Sequence, residues 1–334
     1  MTRNSDLVTA VEDSLKAPSV HNTQPWRWRF GRNDAELHAD RGRQLTGTDP
    51  EGRDLMLSCG AALHHLRVAL AARGLGCTVD LQPDPGDSDH LATVTPTSGP
   101  VDPIAAELYR HVDRRHTERR RMSHRPVPAE LLAELAEQAR HAGADLVPVT
   151  DTATRERLVA AFREAAARQR FAPGYAAELQ LWTRRGAGAH DGIGASNIAT
   201  PLENGFPLRT FPGQGQLIQP RPAAGPGAPE AADAADAGDA AELMVIVTEG
   251  DDTADRLRAG EALSAVLLHA TRHRLATTPL SQATEVAQAR GAIGRALQTA
   301  AQPQILVRVG WPATTAGDLP ATPRRDLWSV LLPS

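Results

Sequence analysis

Two stretches carry residue types able to do chemistry. The run from Ala17 to Trp28, APSVHNTQPWRW, gathers a serine hydroxyl, two carboxamides and two prolines in a few positions: Pro18, Ser19, Asn22, Gln24 and Pro25. Proline fixes φ and removes a backbone donor, so a helix arriving through residues 7–16 should end by Pro18. Rigid polar loops on a scaffold are where ligands are read, although the same composition suits a plain helix-to-strand connector. The second stretch, Arg110 to Arg125, holds seven arginines in sixteen residues, RHVDRRHTERRRMSHR. A solvated basic surface, or a set of ion pairs with Asp113 and Glu118, is one reading; nucleic-acid contact is another, disfavoured by the net charge of −4. Phosphate binding is the third, because a guanidinium fork grips two phosphate oxygens and a Thr hydroxyl adds a donor.

The elements that must position these residues follow from periodicity. Trp26, Arg27, Trp28, Arg29 and Phe30 alternate large apolar with charged residues, the pattern of a strand with one buried face. Residues 37–39 can pair with it through a turn at 31–34. Residues 54–72 predict a long Ala- and Leu-rich helix stopped by Gly74 and Gly76, followed by strands at 77–81 and 91–95. The order strand, helix, strand recurs at 242–248, 253–273 and 304–310. Gly60, Ala62, Leu63 and Leu75 recur as Gly260, Ala262, Leu263 and Leu275, which points to an internal duplication. Between the repeats, helices are expected at 130–142 and 151–170, the second capped by Asp151, with a strand at 146–149. Residues 222–239, rich in Pro, Ala and acids, lack the bulky apolar surface that offsets ordering entropy and read as mobile. The preceding 201–217 carries Phe206, Leu208, Phe211 and Leu217, with Ile218 just after, and reads as a loop that folds over something.

The run Pro18-Ser-Val-His-Asn22-Thr-Gln24-Pro25-Trp26 resembles the PSxxNxQPW signature of the nitroreductase family of FMN-dependent oxidoreductases. Arg115-His-Thr117-Glu-Arg119 is similar to the family's RxSxR element, and Gly310-Trp311-Pro312 with Thr322-Pro323-Arg324-Arg325 to its C-terminal GYP…KxR ending. The whole chain most resembles the Acg-like subgroup, in which two halves of the family's dimer are joined. The resemblance implies an α+β, nitroreductase-like fold, internally duplicated, with antiparallel-rich sheets flanked by long helices. It implies a first half at 1–100 and a second at 101–334, the latter with a lid or mobile insertion near 201–241. It implies FMN as cofactor, held by Pro18, Ser19, Asn22, Gln24, Arg115, Thr117, Arg119 and either Arg324 or Arg325, of which Arg325 sits better relative to the residues that follow. Thr278, Pro279 and Leu280 belong to the segment that passes near N5 of the flavin, and Asn22 is suited to the pyrimidine edge because a carboxamide donates and accepts together. NAD(P)H is the implied electron donor, a nitro compound or quinone the acceptor, and no protein nucleophile is required. One flavin site per chain is expected, since the loop lies in the first half and the Arg elements in the second. An FMN-sequestering or redox-sensing protein with a lid-covered site is the alternative.

Composition bounds the rest. With 334 residues, 41% hydrophobic and 23% charged, the chain can bury a sizeable core. It shows no apolar run near the roughly 20 residues of a bilayer span. Acids within the first residues and no apolar h-region predict no secretory signal and a cytoplasmic chain, with no nucleic-acid or membrane partner. The resemblance implies a monomer that mimics the family's dimer, with further dimerisation left open. Cys59 and Cys77 form neither a ligand spacing nor a disulfide framework. There is no P-loop and no HExxH, and Gly74-Leu-Gly76 lacks a third glycine. The twelve histidines, His21, His64 and His65 among them, read as core or surface residues, because no carboxylate or Cys stands at ligand spacing; no metal is expected.

Overall fold

The computed structural model describes residues 2–186, 188–198, 206–212, 241–313 and 317–333. The run at 222–239, Leu217 and Ile218 of the expected loop therefore lie outside the described residues. Helix α1 (Thr2–Ser14) starts earlier than the sequence pattern suggests and ends ahead of Pro18. The alternating stretch forms strand β1 (Trp26–Phe30), with both indoles fully buried and the two arginines partly exposed. It pairs antiparallel with β2 (Ala35–Ala39) through a turn closed by the Gly31 amide donating to the Asp34 carbonyl at 3.1 Å. Helix α2 (Arg53–Ala72), β3 (Gly76–Leu81) and β4 (His90–Thr97) complete a four-stranded sheet ordered β1-β2-β4-β3.

Then follow α3 (Pro103–Leu108), α4 (Ala129–His141), β5 (Asp145–Pro148), α5 (Thr152–Gln169) and α6 (Tyr175–Thr183). Asp151 caps α5 as expected, accepting from the Thr154 amide at 2.8 Å. Beyond these come β6 (Glu242–Thr248), α7 (Thr253–Arg272), β7 (Ala276–Leu280), α8 (Ala287–Leu297), β8 (Gln302–Gly310) and α9 (Leu327–Val330). The second sheet is ordered β5-β6-β8-β7 and, like the first, is antiparallel throughout. Both sheets thus place their strands first, second, fourth, third. Strand β7 was legible only as a segment, because Pro279 argues against a strand; it is tolerated here because β7 lies at the sheet edge. Helices α3, α6 and α8 were not read from the sequence at all.

The two long helices meet at glycine. A Cβ on Gly60 would lie 2.1 Å from the Leu257 carbonyl oxygen, and one on Gly260 would lie 2.1 Å from the Leu57 carbonyl oxygen. The contacts are reciprocal, and only glycine permits so close a backbone approach. His64 Nδ1 lies 2.8 Å from Ser264 Oγ further along the same crossing. By length and composition α2 is apolar enough to cross a membrane, but most of it is buried against α1, α7 and the first sheet, so its apolar faces form a core.

Candidate functional site

The loop after α1 is held in an unusual backbone. His21, Asn22 and Gln24 take φ values of 46°, 56° and 49°, the left-handed region that L residues rarely adopt. Such conformations persist only where surrounding contacts over-determine them. Here the Ser19 hydroxyl accepts from the Gln24 amide at 2.9 Å, and the Val20 amide donates to Ser58 Oγ of α2 at 3.1 Å. The Gln24 side chain is fully buried, donating to the His190 carbonyl at 2.8 Å and accepting from the Arg325 amide at 2.8 Å.

The arginine element is a segment outside any helix or strand. Arg115, Thr117 and Arg119 all line one cavity of about 800 Å³, together with Arg114 and His116. Glu118, between them, is buried on the other side, bonded to Arg120 Nε at 2.9 Å. The Glu118 amide donates to the Thr277 carbonyl at 2.9 Å, which ties the segment to β7. The run of seven arginines is therefore not one surface: Arg115 and Arg119 face the cavity, and Arg120 is spent on Glu118.

Arg324 reaches the same cavity from the C-terminal segment, in the company of Pro18, Ser19, His21, Asn22, Lys16, Asn197 and Arg274. Among the described residues, none of Arg115, Arg119 and Arg324 has a carboxylate within ion-pair distance. Burial pushes Arg115 and Arg119 down to about 10. Burial, and then the Arg115 charge, pushes Arg324 down to about 9. The Nε atoms of Arg115 and Arg324 are buried without a partner. Three desolvated cations around one cavity are what an anion of charge near −2 would relieve.

A narrower cavity of about 130 Å³ continues from the first, sharing Pro18, Ser19, His21, Thr117 and Arg119 with it. Thr278, Pro279 and Leu280 form one wall, and Asp54, Leu57 and Ser58 of α2 another. Leu208, Arg209 and Phe211 line it as well, with the Phe211 ring edge-on to His21 at 5.4 Å. Arg209 is bonded to Glu285 in a buried ion pair and donates to the Tyr175 hydroxyl at 3.0 Å. Burial, helped by the Arg209 and Arg119 charges, holds the His21 imidazole neutral.

Three sequence expectations need correction. Asn22 lines the wider cavity, but its carboxamide is already engaged: Nδ2 donates to the Gly192 and Pro323 carbonyls at 3.0 Å each, and Oδ1 accepts from Arg324 at 3.1 Å. It positions a cation rather than offering an amide to a ligand. Gln24 lines neither cavity and serves as the buried tie just described. Arg325 faces away as well, donating to the Gln24 carbonyl at 3.1 Å and to the Ser329 carbonyl, so Arg324 is the C-terminal arginine at the site. Sequence reading missed Lys16, Asn197, Arg274, Asp54 and Arg209, which converge from distant parts of the chain and carry no local signal. Of the expected lid, Leu208 and Phe211 lie at the narrow cavity and Phe206 packs on Phe162 at 4.9 Å.

The chain belongs to the nitroreductase family. It is 39% identical over 324 residues to a Mycobacterium tuberculosis (strain H37Rv) protein named "Putative NAD(P)H nitroreductase Rv3131", covering 97% of this chain and 90% of that one. It is 33% identical over 336 residues to the relative named acg from the same organism, covering 99% and 96% of the two chains. No family model matches the chain. Among solved structures it is similar to the FMN-dependent nitroreductase NfnB from Mycobacterium smegmatis, solved in complex with NADPH. That match has 16% identity over 69% of this chain and 98% of that one, with a TM-score of 0.42.

Proposed function

We propose that the chain is an FMN-dependent NAD(P)H oxidoreductase acting on a small-molecule acceptor, a nitro compound or a quinone. The observation that carries this reading is the set of three guanidiniums without a carboxylate partner among the described residues, Arg115, Arg119 and Arg324, in the cavity that also meets the Pro18–Ser19 turn. When bound there, FMN supplies hydride acceptance from NAD(P)H and two-electron donation to the acceptor. Arg115 and Arg324 hold the phosphate, with the Thr117 hydroxyl as a further donor. Arg119, which lines both cavities, keeps positive charge at their junction. Thr278, Pro279 and Leu280 wall the narrow end, and Asn22 fixes Arg324. The residues 1–100 and 101–334 act as the two halves of a family dimer within one polypeptide. The matching strand orders and the reciprocal glycine contacts support that division. The loop comes from one half and the arginines from the other, so one FMN per chain follows; flavin absorbance against protein mass tests it, and two FMN per chain would reject it. A cytoplasmic setting fits the absence of any exposed apolar span among the described residues.

A second reading is favoured by residues 206–212. Leu208, Arg209 and Phe211 line the narrow cavity, and the buried Arg209–Glu285 pair fastens them there. If this segment stays in place, a nicotinamide has no room to stack, and the protein sequesters FMN rather than turning it over. Rapid mixing of the yellow protein with NADPH separates the two. Bleaching within seconds supports the reductase; bleaching only by dithionite supports sequestration. A preparation that stays colourless with FMN supplied sinks both.

A further inference from the structure

Histidines that sequence spacing leaves without an acidic neighbour acquire one on folding. His269 lies in the last turn of α7 and His273 is its C-cap, four residues on, so both rings share a face. That face packs on α4, which presents Glu134. Glu134 Oε2 lies 3.3 Å from His269 Nε2 and 3.1 Å from His273 Nε2, and the three ligand atoms all fall within 4.8 Å of one another.

We propose that Glu134, His269 and His273 form a binding site for a divalent transition metal of the zinc class, with water completing the shell. Zinc binds imidazole nitrogen and carboxylate oxygen at about 2.0–2.2 Å, so neighbouring ligands of a tetrahedral ion stand about 3.3 Å apart. The two nitrogen-to-oxygen distances match that edge. His269 Nε2 also hydrogen-bonds to Glu134 Oε2 at that distance, whereas His273 Nε2 is buried with no hydrogen-bond partner despite its closeness to the carboxylate. The nearby Arg272 is turned to Glu107 at 3.0 Å and does not occupy the carboxylate. The other histidine–carboxylate group, Glu36 with His38 and His90, differs on this point, because Arg29 already sits 3.1 Å from Glu36 Oε2. Two histidines and one carboxylate leave open coordination toward solvent, since the Glu134 side chain is half exposed.

Glu134, His269 and His273 line neither cavity, although Thr271 and Arg274 beside His273 line the wider one; the proposal is independent of the reading above. Its placement gives it a use. Directly after His273 the chain turns at Arg274, with φ 60°, into β7, whose Thr278, Pro279 and Leu280 wall the narrow cavity. A metal bridging α4 to the end of α7 fixes that turn.

The test uses the full chain stripped with a chelator and titrated with zinc chloride by calorimetry, with thermal melts in parallel. One zinc per chain, with at least about tenfold weaker binding in both His273→Ala and Glu134→Gln, is the expected result; loss of a second-layer contact alone costs that much. The zinc-induced rise in Tm should shrink in both variants, while their flavin content stays that of the parent. Absence of zinc binding, or equal binding by parent and both variants, overturns the proposal, the latter by showing that other surface histidines hold the ion.

Discussion

Arg115→Met tests the site most directly, because its effects on the empty and the loaded protein should have opposite signs. Arg115 is buried, its Nε has no partner, and burial pushes it down to about 10. At 1.36 kcal/mol per unit, the charged form bears an unrelieved desolvation cost on the order of 3 kcal/mol. Met keeps the apolar stem and removes the charge, so the flavin-free variant should melt at or above the parent's temperature. With FMN present the order reverses. One charge-assisted contact to phosphate contributes about 1.5–3 kcal/mol, so FMN should bind about 10- to 100-fold more weakly. Inorganic phosphate alone should stabilise the flavin-free parent and do less for the variant. The assays are flavin retention after gel filtration and melts of the stripped protein with and without phosphate. Unchanged FMN affinity together with a lowered melting temperature of the stripped variant would refute the reasoning, since Arg115 would then be a structural residue.

Other outcomes follow from the same structure. Gly60→Ala forces a methyl onto the Leu257 carbonyl at the α2–α7 crossing and should cost about 1–3 kcal/mol in urea unfolding, with Gly260→Ala costing a similar amount. Asp54 is raised well above the usual carboxylate range by burial and then by Glu285 and Asp49, while burial raises Asp49 to about 7. The folded state therefore holds protons that the unfolded state has released, and stability should fall as pH rises from about 4 through 7. Asp54→Asn should remove part of that slope, gaining more at pH 8 than at pH 5; a variant whose stability runs parallel to the parent's across this range would contradict it. Arg209→Met leaves Glu285 buried without its cation, which costs about 3–5 kcal/mol, and frees residues 206–212. Under the sequestering reading NADPH should then bleach the flavin faster than in the parent, and an unchanged rate would argue that these residues do not obstruct the site.

What the sequence determined by itself is local. The Pro18–Pro25 turn and the strand at Trp26 are legible because proline restricts its own φ and because a strand repeats every two residues, and Arg115, Thr117 and Arg119 because guanidinium and hydroxyl groups suit phosphate. Only tertiary structure decided which arginine serves the site. Arg324 and Arg325 are adjacent and chemically identical, and what separates them is that Asn22 captures one while the Gln24 and Ser329 carbonyls capture the other. The same holds for Glu134 beside His269 and for Arg209 on Glu285. Each is a contact across many residues, fixed by how helices and loops pack, and no short-range pattern encodes it.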